Sequence, residues 1–317
     1  MALAEDIKQK ALQLGFDLAG ITTAGPIDSR QVELLAGWLK AGYNGQMNYM
    51  HRNFQKRINP ANLLKGARSV ICVGLNYRPP PSKKTPEIPN QTGRVAIYAQ
   101  YEDYHLFIKK QLRKLAVFLN SVVGPGLKFK ICVDSAPLAE RALAERAGLG
   151  FIGKNHMLIN RKFGPQIFLG EVITNIELKA DEPAEPGCAD CQKCIAACPT
   201  GALGAGGSFD ANKCISYLTI EREERIPADL AERMGDRIFG CDDCVLACPY
   251  QENGLARRNE QFKFYPDRAR LDLKQILSLS KADFDAKFVD SPIRRTGLER
   301  LKRNAQICLA NVTSRNG

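Results

Sequence analysis

Eight cysteines between positions 188 and 248 form the pattern with the clearest chemistry in this sequence. The first run reads C-x2-C-x2-C-x3-C-P, and the second repeats its C-x2-C-x3-C-P ending. Such runs are typical of proteins that bind two 4Fe-4S clusters, because the cysteine before proline ligates the cluster of the other run. The crossed pattern predicts cluster 1 on Cys188, Cys191, Cys194 and Cys248, and cluster 2 on Cys198, Cys214, Cys241 and Cys244.

Two other interpretations of these cysteines are weaker. A disulfide framework needs an oxidising compartment, and nothing in the sequence signals export. Zinc prefers two C-x2-C pairs around one tetrahedral ion, which leaves the other cysteines of each run without a ligand role. Zinc is therefore a distant second to iron–sulfur. The remaining Cys72, Cys132 and Cys308 lie in apolar stretches and are predicted to be core residues.

Asp134 is the polar residue outside the cysteine region that draws most attention. It follows the apolar stretch KFKICV and precedes Ser135 and Pro137, where a helix can begin. In an apolar pocket at the end of a strand, its pKa would rise and make it a proton donor near neutral pH. Capping of the following helix is an equally good interpretation of the local sequence.

Composition and charge limit the class of protein. The 317 residues are 44% hydrophobic and 25% charged, which excludes a mostly disordered chain. No apolar run of about 18 residues is present, and the N-terminus reads as an amphipathic helix, so we expect a cytoplasmic protein. The net charge is +11, and two clusters would lower it to roughly +7. This excess is compatible with a nucleic-acid partner and equally with a mildly basic protein.

Strand and helix patterns alternate in the first part of the chain and predict an α/β or α+β fold. Three segments are expected, an α/β domain over 1–178, a ferredoxin-type domain over 179–255 and a helical segment over 256–317. The predicted strands are 17–22, 69–77, 94–101, 128–134 and 166–174, and the predicted helices are 31–42, 103–123 and 137–148. The proline-rich stretch 78–93 is predicted to be an exposed loop.

Familiar nucleotide-binding motifs are missing from this α/β domain. GLGFIG (148–153) follows a helix and is predicted to end it, which is unlike a dinucleotide-binding loop. DYHLFI (103–108) lacks the glycine of the D-x-H-x-x-G corrinoid signature. With three histidines in the chain, a histidine-rich metal site is not expected.

Taken together, these stretches resemble the epoxyqueuosine reductase family, whose cobalamin-dependent members complete queuosine in tRNA. The similarity keeps its order over nearly the whole chain, and the stretch DSAPLAERALAERAGLGFIGKN is highly specific. It also includes GFDLAGIT, MHRNFQKRINPANLLKGARSVICVGLNY, YAQYEDYH, HMLINRKFGPQIFLGEV, CISYLTIE and SPIRRTGLERLKRN.

The resemblance implies an α+β protein with a nitroreductase-like cobalamin-binding domain, a double 4Fe-4S domain and a shortened helical C-terminal segment. It implies reduction of epoxyqueuosine at the wobble position of tRNA, base-off cobalamin, an external low-potential electron donor and a monomer. Asp134 would be the proton donor, and Tyr104 and His105 would line the substrate side or form an aromatic packing turn. The cobalamin contacts implied are Arg57, Ile97, Asp134, Leu158, Leu169, Ser216 and Asp242.

Two departures and two alternatives accompany this resemblance. Tyr101 stands where the family usually has glycine, and longer members continue into a helical-repeat region. A corrinoid reductase similar to the reductive dehalogenases, acting on a small molecule, would share the architecture but would not need a basic surface. A non-catalytic ferredoxin fused to a structural domain would carry the clusters and bind no corrinoid.

Overall fold

The computed structural model describes residues 2–80 and 91–315, apart from the side chain of residue 315. Its helices are α1 (Ala2–Gln13), α2 (Ser29–Lys40), α3 (Tyr49–Arg52), α4 (Phe54–Ile58), α5 (Tyr104–Val123), α6 (Glu140–Arg146), α7 (Lys193–Ala196), α8 (Ile215–Ile220), α9 (Ala228–Met234), α10 (Asp243–Leu246), α11 (Pro249–Glu252), α12 (Leu273–Ser278), α13 (Lys281–Lys287) and α14 (Leu298–Arg315). Its strands are β1 (Leu18–Thr23), β2 (Ser69–Asn76), β3 (Thr92–Val95), β4 (Phe129–Cys132), β5 (Phe151–Ile152), β6 (Leu158–Ile159), β7 (Ile167–Thr174), β8 (Arg237–Phe239) and β9 (Arg270–Asp272).

An antiparallel sheet in the order β1-β2-β7-β4 forms the centre of the first part of the chain. Every residue of β2 and β7 is buried, because helices cover both faces of the sheet. Side chains alternate along β7, so that Phe168 and Val172 join a core with α1 and α5. Leu169 and Ile173 face the other way and join a core with α6. The antiparallel order makes the fold α+β.

A second sheet connects all three segments that the sequence suggests. Strand β3 pairs in parallel with β8 and antiparallel with β9. Helix α14 covers this sheet and contributes Leu301, Ala305 and Cys308 to its core. The buried amide of Asn304 donates to the carbonyls of Thr219 and Ile238, at 2.8 and 3.0 Å. The C-terminal helices therefore share a core with the cluster domain and β3.

Most predicted elements are present, and the exceptions have local causes. Strand β3 spans 92–95 and so covers only residues 94 and 95 of the predicted strand 94–101, and a 3-10 helix follows at Ile97–Gln100. Residues 92 and 93, expected in a loop, pair with β9; much of that predicted loop, 81–90, lies outside the described residues. Tyr101 is fully buried, stacks on Phe262 and donates to the carbonyl of Tyr77 at 2.8 Å, so this departure from the family pattern fills core volume.

Other local predictions are confirmed. Cys72, Cys132 and Cys308 are fully buried and free. Gly148 follows Ala147, the C-cap of α6, and has a φ of +77°, as a helix-ending glycine requires. Among the described helices, none is long and apolar enough to cross a membrane.

Candidate active site

The two cysteine runs lie side by side. Each run contains one short helix, α7 in the first and α10 in the second, and these helices contact each other. Both runs end on a proline that follows the last cysteine, and Pro249 begins α11. The duplicated sequence therefore folds into a duplicated loop–helix unit, which brings cysteines from opposite runs together.

The pKa shifts of the thiols show which cysteines of the two runs are neighbours, and the crossed ligand assignment stays a prediction. Burial raises the pKa of Cys248, and the nearby thiols Cys188 and Cys194 raise it further, although both belong to the other run. Cys191 lies in the same group, because it raises the pKa of Cys194 together with Cys188. A cluster of thiols in a buried place resists ionisation until a cation binds there.

The second group contains the isolated cysteine. Burial raises the pKa of Cys244, and so do its neighbours Cys214, Cys241 and Cys198. Among the described residues, no three His, Cys, Asp or Glu side chains are grouped around a position for one shared metal ion. A four-iron cluster has no such requirement, because each of its thiolates binds a different iron at a different corner.

A short stretch of the α+β domain, Gly153–Asn155, contacts both cysteine runs. The Lys154 ammonium donates to the carbonyls of Ala189 and Cys191, at 2.7 and 3.1 Å, and its backbone N–H points at Cys188 Sγ at 3.4 Å. The Asn155 amide donates to the carbonyl of Cys244 at 3.2 Å. Sequence reasoning assigned no role to these residues, although the stretch GFIGKN was part of the resemblance.

Asp134 lies where β4 leads toward α6, on the described surface of the α+β domain. Strand β4 ends at Cys132 and α6 begins at Glu140, six residues after Asp134. The interpretation of Asp134 as a helix cap is therefore wrong, and Pro137 lies in the connecting loop. Asp134 has a φ of +49°, a left-handed conformation that non-glycine residues seldom adopt and that often marks functional sites.

The side chain of Asp134 ends a chain of polar groups. Its Oδ2 is 2.9 Å from Nε2 of His105, whose Nδ1 is 2.7 Å from Oδ1 of Asp103. Asp103 caps α5 by accepting the backbone N–H of His105 at 2.9 Å, so the helix start fixes the imidazole between two carboxylates. Tyr104 stacks on the imidazole with ring centroids 4.0 Å apart.

These contacts reverse the direction of the pKa shift that the sequence predicts for Asp134. Burial acts to raise the pKa, but the hydrogen bond and charge of His105, followed by Arg295, outweigh it and hold the pKa of Asp134 below 3.8. The side chain is 41% exposed, so the apolar pocket assumed from the sequence is absent at this described position. Burial alone would lower the pKa of His105, yet Asp103 and Asp134 raise it to about 9.

Arg295 closes the other side of the site, and sequence reasoning did not single it out. One guanidinium nitrogen lies 3.5 Å from Oδ2 of Asp134, and the other donates to Glu221 Oε1 at 2.6 Å. Arg295 lies in a 3-10 helix, Pro292–Thr296, capped by Ser291 within the stretch SPIRRTGLERLKRN. That stretch was noted for its resemblance, but its 161-residue separation from Asp134 gave no local signal of contact.

The structure brings some of the residues named as cobalamin contacts together. The Ile97 N–H donates to Asp242 Oδ2 at 2.6 Å, which joins the turn after β3 to the residue beside Cys241. Arg57 donates to the carbonyl of Leu138 at 3.3 Å, and its Nε is buried without a partner among the described residues. Each of the remaining residues lies on an ordered element: Leu158 on β6, Leu169 on β7 and Ser216 on α8.

This arrangement of an α+β domain on two groups of four cysteines defines an iron–sulfur oxidoreductase. A family described as 4Fe-4S double cluster binding domain matches residues 187–251, and one described as Epoxyqueuosine reductase QueG, DUF1730, matches 57–135. The epoxyqueuosine reductase of Vibrio cholerae is 40% identical over 315 residues, which cover 98% of this chain and 84% of that protein. The chain belongs to the epoxyqueuosine reductase family.

Solved structures agree with this assignment. An epoxyqueuosine reductase crystallised with a tRNA-Tyr epoxyqueuosine-modified stem loop matches with a TM-score of 0.90 and 31% identity, covering 98% of this chain and 82% of that one. The Bacillus subtilis enzyme, solved with its catalytic aspartate loop swung out of the active site, matches with a TM-score of 0.91 and 31% identity. That match covers 99% of this chain and 83% of the other.

Proposed function

We propose that this protein reduces epoxyqueuosine to queuosine in tRNA. The observation that carries the proposal is the contact of Asp134 with a protonated His105, in a chain whose two cysteine groups match a double-cluster domain. Conversion of an epoxide to an alkene removes the oxygen as water and consumes two electrons and two protons. Two clusters supply a route for single electrons, and the polar chain at Asp134 supplies a route for protons.

Asp134 and His105 share the proton that the departing oxygen needs. With a pKa of about 9, His105 is an imidazolium at neutral pH, and its Nε2–H points at Oδ2 of Asp134. As negative charge develops on the substrate oxygen, Asp134 accepts the proton held by His105 and passes it to that oxygen. The second proton, which releases the oxygen as water, comes from solvent. Asp103 keeps the imidazole in place and stabilises its charge during this exchange. One guanidinium nitrogen of Arg295 contacts the Asp134 carboxylate and the other contacts Glu221, which keeps the carboxylate in place.

The residues that would hold cobalamin fit such a group. The buried Nε of Arg57 has no acceptor among the described residues, so a polar group of a bound molecule would satisfy it. The Ile97–Asp242 hydrogen bond places a second polar contact next to Cys241 of cluster 2. Leu158 and Leu169 are buried in the core, so their contact with this ligand stays a prediction, and Ser216 and Asp134 complete the set named for it. Bound cobalamin would supply a cobalt centre able to deliver low-potential electrons for reduction of the epoxide.

The partners of this proposal follow from its chemistry. The net charge of +11 favours a polyanion such as tRNA, and a tRNA-modifying enzyme acts in the cytoplasm. An external low-potential donor must reduce the clusters between turnovers. We expect the protein to act as a monomer.

The test combines cobalamin-loaded, cluster-loaded protein with tRNA that carries epoxyqueuosine and a strong reductant. The expected result is queuosine in the digested tRNA, at one equivalent per two electrons consumed. Protein lacking cobalamin is the control and should give none. Absence of queuosine from fully loaded, reduced protein would refute the proposal, and so would a chain that purifies with zinc in place of iron and sulfide.

A further inference from the structure

A carboxylic acid lies in the apolar core directly behind Asp134. Glu171 is the fifth of the eight buried residues of β7 and is 0% exposed. Its cross-strand neighbours are Cys72 on β2 and Cys132 on β4, and it shares its face of the sheet with Leu169 and Ile173. Neither carboxyl oxygen of Glu171 has an ordinary hydrogen-bond donor among the described residues. A buried acid with no donor is costly unless it keeps its proton.

The group that faces Glu171 is a second carboxyl, that of Glu140 at the start of α6. The two carboxyl groups lie close enough for each to change the pKa of the other, and two adjacent ionised carboxylates would repel each other in the buried interior. Glu171 is fully buried and has no donor among the described residues, so it is the one that keeps its proton. Burial raises the pKa of both acids, to about 7 for Glu140 and well above 4.5 for Glu171.

Glu140 also contacts the loop between β4 and α6, which carries Asp134. Its Oε1 accepts the backbone N–H of Asp134 at 2.5 Å. A continuous path thus runs from the core acid Glu171 through Glu140 to the main chain of the residue that touches His105. The opposite end of the same loop is fixed at Arg57, whose carbonyl accepts the Ala139 N–H at 3.2 Å.

Asp134 needs such support because of its backbone. Its φ of +49° is one that a residue with a side chain keeps only when its surroundings hold it there. The Asp134 N–H is the group that would turn away if the chain relaxed to a negative φ. The other charged or titratable groups near the pair do not replace this bond. Arg141 lies on α6 beside Glu140, and the others belong to separate elements: Arg57, Tyr104, Cys72 and Cys132.

We propose that Glu140 and Glu171 form a positioning pair, in which protonated Glu171 fixes Glu140 and Glu140 fixes the backbone of Asp134 in its catalytic orientation. The proposal rests on the proposed function for Asp134, but it makes two claims that need no turnover. One is that a protonated carboxyl persists in the core at neutral pH. The other is that removing Glu140 releases Asp134 from His105.

The kinetic test compares three variants with wild type in the epoxyqueuosine-tRNA assay. Glu140→Leu removes the acceptor of the Asp134 N–H and should lower kcat by ~100-fold with KM for tRNA little changed, as misplacement of a reacting group does. Glu171→Leu should lower kcat in the same direction. Glu171→Gln should recover most of that loss, because its amide donates to Glu140 as the acid does. The matched control is Ile173→Ala, on the same face of β7, which should lower Tm but not kcat.

Two spectroscopic readouts separate this proposal from the proposed function. The infrared spectrum of the cluster-loaded protein should show the C=O band of a protonated carboxyl at neutral pH, lost in Glu171→Gln and retained in Asp134→Asn. Histidine-labelled protein should show by NMR that the pKa of His105 falls in Glu140→Leu as far as it does in Asp134→Asn. The chain has three histidines, so substitution assigns the signals.

The outcomes are distinguishable. An absent carboxyl band, or a His105 pKa that Glu140→Leu leaves unchanged, would overturn the positioning pair even if the enzyme is active. Equal kcat losses in Glu171→Gln and Glu171→Leu would do the same, since the amide would then fail to replace the acid. If wild-type protein forms no queuosine but both spectroscopic results appear, the proposed function fails and the structural link survives.

Discussion

Replacement of Asp134 by asparagine is the most direct test of the polar chain at the candidate site. The substitution keeps the size of the side chain and removes its charge and its capacity to carry a proton. A rise in the pKa of His105 from 6.5 to about 9 corresponds to about 3 kcal/mol in favour of the imidazolium. Asp103 and Asp134 share this contribution, so the pKa of His105 should fall part of the way back in Asp134→Asn.

The loss of activity follows from the role of the proton. A positioned general acid contributes roughly 10²- to 10⁴-fold to a rate, so kcat for queuosine formation should fall by that order. Iron content and the reduced-cluster spectrum should stay unchanged, because no cluster cysteine contacts Asp134 in the described structure. The assay is single turnover with pre-reduced, cobalamin-loaded protein, which separates chemistry from cluster reduction.

The same variant should change the pH dependence of stability in a defined direction. Because the pKa of His105 is raised on folding, its contribution is fully present below pH 6.5 and is lost as the pH rises through about 9. Wild-type protein should therefore lose more Tm between pH 6.5 and 9.5 than Asp134→Asn does. Asp229→Asn, on the exposed first turn of α9, is the matched control. Retained turnover in Asp134→Asn, together with an unchanged His105 pKa, would refute the reasoning.

Three further predictions concern the clusters, the tRNA and the second contact of Asp134. Cys198→Ser should damage cluster 2 selectively in the electron paramagnetic resonance spectrum of the reduced protein, and selective loss of cluster 1 would contradict the crossed assignment. Binding of epoxyqueuosine tRNA should weaken steeply with salt, and a slope near zero by filter binding or fluorescence would instead favour a small substrate. Arg295→Met, at a side chain 49% exposed, should reduce kcat by ~10-fold, because the link from Asp134 through Arg295 to Glu221 is lost. Arg294→Met is the control and should leave kcat unchanged. Similar activity in both variants would exclude that role for Arg295.

The sequence was informative wherever function depends on short-range spacing. The cysteine runs predict two groups of four, including the crossing of Cys198 and Cys248, because the spacing of thiols along one loop is fixed by covalent geometry. The central strands of the main sheet were predictable from their apolar composition, since β2 is a mostly apolar run and β7 is one interrupted by Glu171. The stretch 94–101 misled because its apolar residues continue past β3 into a 3-10 turn that packs Ala99 into the core.

Contacts between distant parts of the chain were not predictable. Arg295 meets Asp134 across 161 residues, and Asn155 meets the second cysteine run across 89. Neither pairing leaves a periodic or compositional signal, because tertiary folding alone brings the two stretches together. The burial of Glu171 was not predictable either. Within QIFLGEVIT it looks like the polar member of a half-buried strand, yet both faces of β7 are covered.

The pKa of Asp134 is opposite in direction to the one expected from the local sequence, while its role as proton donor stays a prediction. An isolated carboxyl at the end of an apolar strand would gain a proton, but its hydrogen bond to His105 leaves that proton on the imidazole. The low pKa of Asp134 and the high pKa of His105 thus describe the same proton, held 2.9 Å from the carboxylate. A donor built this way stays ionised and oriented until the substrate oxygen gains charge, and delivers a proton only then. The value of kcat should accordingly fall as the pH rises above about 9, where His105 loses its proton. It should not fall near the pH at which a buried carboxyl ordinarily titrates.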